Sequence, residues 1–307
     1  MTSPVPDNAA PSEIRPGQGP SASGRGAAFV ALLMGATALG VSPVFVRLAD
    51  VGPFASAFWR TALAMPVLYL WMTFEDRGRP DRPGFTLPVV LAGIFFAGDL
   101  FFWHLSILKT TIANSTFLAT TAPLWVILVA WFWFREATSR WTLIGLALCL
   151  AGGAALIGNS LQIDTSRLLG DAYGAATGVF FGLYFHAVRA GRRTHGAARL
   201  TFHASVVTSL CLLLVALVME PRILPHSLQG WLAVLALGVV TQAAGQGLLS
   251  VALGTLPPVF SSLVIFLEAV IAAIFAWLAL GEALTAVQVA GGVAIMVGIW
   301  VARPRTP

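Results

Sequence analysis

The chain has 307 residues, 57% of them hydrophobic and only 10% charged, with a mean hydropathy of +0.83. Soluble domains carry about 25% charged residues, so a water-soluble globular protein is excluded. The pI near 10.0 comes from basic residues spread between apolar runs, which argues against a nucleic-acid surface and for membrane orientation.

Residues 1–26 are rich in Pro, Ser and Gly, lack periodicity, and read as a disordered cytoplasmic tail. The apolar segment that follows is too long for a signal peptide and lacks a small-residue cleavage site. Ten apolar runs then cover about 27–47, 53–73, 86–107, 111–134, 141–158, 170–190, 199–219, 229–249, 256–280 and 286–302. About 20 residues cross a hydrocarbon core roughly 30 Å thick, and a span in lipid must satisfy its own backbone hydrogen bonds. The expected fold is therefore all-α, a polytopic membrane protein of ten transmembrane helices joined by short turns.

Lys and Arg set the orientation. With the N-terminus inside, thirteen fall on inner segments and four (Arg47, Lys109, Arg167 and Arg222) on outer loops, so both termini are expected in the cytoplasm. Trp71, Trp131, Trp133, Trp141 and Trp300 then fall near inner ends and Trp231 and Trp277 near outer ends, as interfacial anchors do. Trp59, Trp103 and Trp125 lie deeper. Cys149 and Cys211 sit inside apolar runs without a ligand motif and read as packing residues, with no disulfide or metal site.

An internal echo organises the chain. A shift of 146 residues places Glu136 on Glu282, Ser139 on Thr285, Gly145 on Gly291 and Gly152 on Gly298. Each echo is an apolar run, a Glu-bearing turn and a second, Gly-containing run. Two halves follow, residues 27–158 and 170–302. Five spans in each is an odd number, so the halves are expected to be inverted, an arrangement used by transporters with a site near the midplane.

The turns Arg135-Glu136-Ala-Thr-Ser139 and Gly281-Glu282-Ala-Leu-Thr285, with Pro123 and Leu267-Glu268 in mid-span, resemble the EamA-like branch of the drug/metabolite transporter superfamily. Val51-Gly-Pro-Phe, Phe58-Trp-Arg60 and Gly98-Asp99-Leu-Phe-Phe-Trp-His104 are similar to bacterial members. The resemblance covers roughly residues 27 to 302. It implies a multi-pass protein of the bacterial inner membrane that moves small metabolites, with amino-acid export, as in the YddG-like exporters, the best single substrate class. Arg135 replaces the family's usual Gly, and Ala269 stands where Pro is common.

Candidate site residues are the polar groups inside the runs. Asp99 lies mid-span, where a carboxylate costs roughly 2.5–3.5 kcal/mol unless it faces a cavity or partner. Trp103 shares its face and His104 lies beside it. Glu268 is mid-span in the ninth run, with Ser261, Ile265, Ala272 and Phe275 on its face. Each acid reads either as a substrate or proton-coupling group or as part of a structural hydrogen-bond network. Arg60 suits a substrate carboxylate, or else snorkels outward or pairs with Asp50 or Asp99. His203 falls near Arg60 under the repeat, and His186 is a second lone histidine; each also suits ordinary hydrogen-bonded packing. Asn114, Phe117, Thr121 and Trp125 form one stripe, and Gln242 and Gln246 lie one turn apart; these suit either a cavity lining or interhelical hydrogen bonds.

Gly174, Gly178 and Gly182 form a ridge for close helix approach, and Pro43 and Pro123 mark kinks or hinges. Spans three, four, eight and nine are expected to line the path. No intramembrane protease motif is present, and Lys109, the sole lysine, lies at a span end, which excludes a retinal Schiff base. The reading is a secondary transporter working by alternating access, with no cofactor, no catalytic role, no nucleic-acid partner, and a monomer or weak homodimer in the bilayer. A passive facilitator of the same fold, or an intramembrane enzyme, is the alternative.

Overall fold

A computed structural model describes residues 22–77, 83–158, 165–280 and 285–304, and the described residues are helical with short connections. The helices are α1 (Ala22–Gly40), α2 (Ser42–Leu48), α3 (Pro53–Ala62), α4 (Met65–Glu75), α5 (Leu87–Lys109), α6 (Ile112–Ala119), α7 (Ala122–Phe134) and α8 (Arg140–Ile157). After the 3-10 turn Thr165–Arg167 come α9 (Leu168–Gly191), α10 (Ala197–Met219), α11 (Leu228–Ala236), a π-helix (Leu237–Gln246), α12 (Gly247–Leu253), α13 (Pro258–Val264), α14 (Leu267–Leu280) and α15 (Ala286–Ala302). The tail residues 1–21 and most of the turn Gly281-Glu282-Ala-Leu-Thr285 lie outside the described residues.

Among the described residues, seven helical stretches are long and apolar enough to cross a membrane. The other expected spans miss that threshold for local reasons. The α3–α4 run is cut into two short pieces. Glycines and polar groups dilute α9, and α15 has 17 residues. Outward-facing Leu, Val, Phe and Trp side chains on α7, α10 and α15 are exposed, as a lipid-facing surface requires.

Several long runs are interrupted rather than straight. The α1–α2 break at Val41 precedes Pro43, the α3–α4 break at Leu63-Ala64 precedes Pro66, and the α6–α7 break at Thr120-Thr121 precedes Pro123. Each proline removes a backbone donor and clashes with the preceding turn. The α13–α14 break at Ile265-Phe266 has no proline.

The halves meet along several helix pairs, α5 with α9 among them, and two further contacts are built on backbone groups. Helices α8 and α15 cross with Gly145 on Gly298 and Gly152 on Gly291, so one index rises as the other falls and the helices are antiparallel. A Cβ on Gly152 would stand 2.5 Å from the Gly291 carbonyl oxygen, so the backbones touch directly, as small residues permit in membranes. Between these pairs the Cys149 thiol donates to the Ile295 carbonyl at 3.7 Å; these two residues are 146 apart, the spacing of the sequence echo.

The second contact is a pair of reciprocal carboxylate caps between α3–α4 and α10. Glu75, the last residue of α4, accepts hydrogen bonds from the Ala197 and Ala198 backbone N–H groups at the start of α10 (2.9 and 3.0 Å). Glu220, just past α10, accepts from Phe54 and Ala55 at the start of α3 (2.7 and 3.0 Å). The first N–H groups of a helix have no internal partner and carry partial positive charge, so a carboxylate satisfies both needs. Gly52 and Gly196 stand at the N-caps because a Cβ there would meet the carboxylates at 2.3 and 2.1 Å.

The glycine ridge of α9 packs on α6 and α7, with Gly174 against Leu118, Gly178 against Thr121 and Gly182 against Trp125. Both cysteines are free thiols.

Candidate substrate site

A cavity of about 140 Å³ opens in the middle of the bundle where the interrupted helices meet. Gly40, Ser42 and Pro43 border it at the α1–α2 break, Thr116, Ala119 and Thr120 at the α6–α7 break, and Ile265, Glu268 and Ala269 at the α13–α14 break. Broken helices leave backbone groups free of intrahelical partners. Such breaks are tolerated at membrane depth only where they are buried in protein or border a cavity.

Three charged side chains face this space: Arg60 from the last turn of α3, Asp99 from the middle of α5 and Glu268 from the first turn of α14. Arg60 and Asp99 are each 8% exposed, so neither reaches bulk solvent. Arg60 therefore does not snorkel, and Asp50 is engaged elsewhere, accepting from the Ser227 backbone N–H at 2.8 Å. Among the described residues neither acid forms a direct ion pair with Arg60, although the guanidinium is the cation both carboxyls sense. The Glu268 Oε1 atom is buried without a hydrogen-bond partner. One cation thus stands against two carboxyls across a small gap.

The cationic side is braced. Arg60 Nε donates to Gln242 Oε1 at 3.3 Å, and Gln242 Nε2 donates to Ser205 Oγ at 3.1 Å. The guanidinium lies 5.5 Å from the Phe96 ring centroid, a cation–π distance. Gln242 and Gln246 both lie in the π-helix, a widened winding that concentrates at functional sites. Aromatic walls come from Phe96, Trp103 and Phe181.

Of the residues singled out in the sequence, Pro43, Arg60, Asp99, Trp103, Gln246, Ile265, Glu268 and Ala272 line the cavity, and Gln242 stands behind Arg60. The others lie elsewhere. His104 is buried against Phe54, its Nδ1 bonded to the Leu100 carbonyl at 2.6 Å. Asn114 donates to Asp171 at 3.1 Å, and the Thr121 hydroxyl donates to the Leu118 carbonyl at 2.6 Å. Trp125 packs on the glycines of α9, and Ser261 is buried inside α13. His186 bonds the Val126 carbonyl at 3.0 Å, while His203 bonds the Arg199 carbonyl at 2.8 Å and meets Phe85 edge-on.

The cavity also draws on α1, α2, α3 and α9, beyond the four runs expected. Thr177 and Phe181 of α9, and the buried Tyr184 that bonds Gln246 from behind, were not apparent as site residues. A tyrosine hydroxyl inside an apolar run needs a partner, and that need was the available signal for Tyr184. Among the described residues no group of three or more His, Cys, Asp or Glu side chains is placed to hold a metal.

A helical, apolar bundle with a buried charged cavity at its centre defines a multi-pass membrane protein with a small-molecule site. The chain belongs to the EamA-like transporter family, which it matches over residues 26–158 and again over 168–303. It is 26% identical over 273 residues to a protein of Archaeoglobus fulgidus described as an uncharacterized transporter, covering 89% of this chain and 94% of that protein. A crystal structure with 20% sequence identity shares the fold, at a TM-score of 0.78 over 91% of this chain and 98% of the other. The protein is thus a membrane transporter of small molecules.

Proposed function

We propose that the protein is a secondary transporter of small zwitterionic metabolites, amino acids first among them, exported by alternating access. The observation that carries this is the meeting of Arg60, Asp99 and Glu268 at one cavity between broken helices. A guanidinium suits a carboxylate in two-point contact, and the acids suit an ammonium. Asp99 and Glu268 are also the candidates for proton coupling, because a carboxyl without a partner ion can hold a proton while the substrate is absent.

In this reading ten spans form two inverted five-helix repeats, residues 27–158 and 170–302, in a bacterial cytoplasmic membrane with both termini inside. The antiparallel α8–α15 crossing and the reciprocal Glu75 and Glu220 caps support it, since a two-fold relation makes each contact recur with its partners exchanged. The protein works as a monomer or weak homodimer. Ligand sites for drug-sized molecules run about 300–1,000 Å³. A cavity of about 140 Å³ therefore favours serine- or threonine-sized substrates over aromatic ones.

The test is uptake of radiolabelled amino acids into liposomes holding the purified protein, with and without a pH gradient, beside Asp99→Asn and Glu268→Gln. Saturable uptake of small amino acids above empty liposomes is expected, accelerated by the gradient, with the acceleration lost in one variant. Uptake indifferent to pH would turn the reading to a facilitator. No movement of any amino acid would remove the substrate class.

A further inference from the structure

Tyr184 is a buried polar group behind the cavity lining that the transport reading leaves unused. It lies in α9 and is buried, with Phe96, Phe181 and Phe185 around its ring at centroid distances of 5.1, 5.9 and 6.4 Å. Its hydroxyl donates to Gln246 Oε1 at 3.0 Å, the one hydrogen bond it makes among the described residues.

That bond fixes which end of the Gln246 amide meets the cavity. A phenol has one proton to donate, and an amide offers one acceptor oxygen and two N–H donors. The phenyl rings around Tyr184 offer no good acceptor, so its proton must go to Oε1. The Gln246 NH₂ group then turns away from Tyr184, and Gln246 lines the cavity. Arg60 is held in the same manner: Nε donates to Gln242, no hydrogen bond among the described residues engages its two terminal nitrogens, and the residue lines the cavity. Both glutamine oxygens are therefore occupied from behind. Arg60 and Gln246 thus each bring N–H donors to the cavity lining.

We infer that Tyr184 is a positioning residue for selectivity: by holding Gln246 as a donor beside Arg60, it builds a seat for a carboxylate of the transported molecule. The choice of a carboxylate follows from these donors. Of the common polar groups, a carboxylate is the one that can take a two-point contact from a guanidinium and an amide N–H besides. Asp99 and Glu268 line the same cavity. The inference deepens the transport reading by naming the group recognised at one pole, but it requires neither an amino acid nor a proton gradient.

Binding to the purified full-length protein in detergent, read as ligand-dependent thermal stabilisation, tests this with three probes of similar size. Propionate has the carboxylate alone, serine methyl ester has the amine alone, and serine has both. Wild-type protein is expected to bind propionate and serine. Tyr184→Phe removes only the hydroxyl, frees the amide to turn its oxygen inward, and should weaken propionate and serine about tenfold, as loss of a hydrogen bond to a charged group does. Ester binding should hold. Gln246→Leu should weaken the same two probes, and adding Tyr184→Phe to it should change nothing further.

Equal weakening of all three probes by Tyr184→Phe would reduce Tyr184 to a packing role and overturn the inference. So would unchanged propionate binding in that variant, or no propionate binding by the wild type. Binding of propionate without serine, with the Tyr184→Phe loss retained, would sustain the carboxylate seat while removing the amino-acid reading.

Discussion

The two family-matched regions share a frame and differ where the chemistry sits. In both, a long run breaks at the cavity and resumes, at Thr120-Thr121 in the first and Ile265-Phe266 in the second, and the shift of 146 carries Thr120 onto Phe266. Both end in a glycine-bearing helix that crosses its counterpart, and both send a glutamate to cap the other region's helix. Their interiors diverge. The first region also breaks α1 from α2 and α3 from α4, whereas α9 and α10 run unbroken. In the second region, the run that follows α10 is wound into a π-helix, whereas α5 is regular α-helix throughout.

The charges follow that divergence. The reciprocal caps put Gly52 with Gly196 and Glu75 with Glu220, shifts of 144 and 145. Arg60 then falls on Ala204 or Ser205, and His203, the counterpart expected from the sequence, is turned toward Phe85 instead. Glu268 falls on Ala122. A frame built twice can be inverted and still close on itself. A site that must tell one end of a small molecule from the other needs side chains present once.

The largest test strikes the shared frame. Gly152→Leu puts a branched side chain where a Cβ already meets the Gly291 carbonyl oxygen at 2.5 Å and Ile295 at 2.9 Å. Backbone cannot yield as a flexible side chain can, so the cost should reach about 3 kcal/mol, the upper end for overpacking. Folded yield and thermal unfolding in detergent read it directly. Gly291→Leu should do the same harm from the other side. If either is tolerated at wild-type yield, the α8–α15 crossing is not a joint on which the fold depends.

A smaller effect sharpens the comparison between the two caps. Glu220→Ala removes bonds to two N–H groups and should destabilise by about 2 kcal/mol, in the range for hydrogen bonds to charged groups. Glu75→Ala should cost somewhat more. Glu75 reaches a third N–H, that of Arg199 at 3.4 Å, and its neighbour Asp76 pairs with the Arg199 guanidinium at 2.6 Å. Thermal unfolding of both variants side by side gives the ranking, and the reverse order would deny the Glu75, Asp76 and Arg199 cluster its extra hold.

Much of this was legible in the sequence, and the losses have physical causes. Apolar runs, the echo around Glu136 and Glu282, and the lone mid-span charges Arg60, Asp99 and Glu268 stand out because lipid makes each conspicuous. The stripe Asn114, Phe117, Thr121 and Trp125 assumed one continuous helix. The break at Thr120-Thr121 resets the phase, so Asn114 ends on Asp171 and Trp125 on the glycines of α9. Ser261 is separated from Glu268 by the α13–α14 break in the same way, one that no proline announces. The π-helix leaves no mark in composition. Glu75 and Glu220 look like ordinary loop charges until the helix they cap, more than a hundred residues away, is in place.

The smallest effect belongs to Asp50, outside the spans, which links α2 to the loop before α11. Hydrogen bonding from Ser227 holds its carboxyl below the ordinary value of 3.8, with His226 nearby adding to the pull. A carboxyl whose folded value is lowered favours the folded state at pH above the unfolded value, and that contribution disappears as pH falls through the folded one. The contact should therefore be intact at neutral pH and weaken only below about pH 4. Because Asp50 is only partly buried at the surface, screening keeps its effect small. Comparing thermal stability of wild type and Asp50→Asn from pH 7 down to pH 3 isolates it: a slight gap at neutral pH should close on acidification. A gap that widened instead would mean the carboxyl is held by something other than its charged form. The start of α11 would then be fastened by the Ser227 side chain, which already accepts from the Gly230 N–H at 2.9 Å.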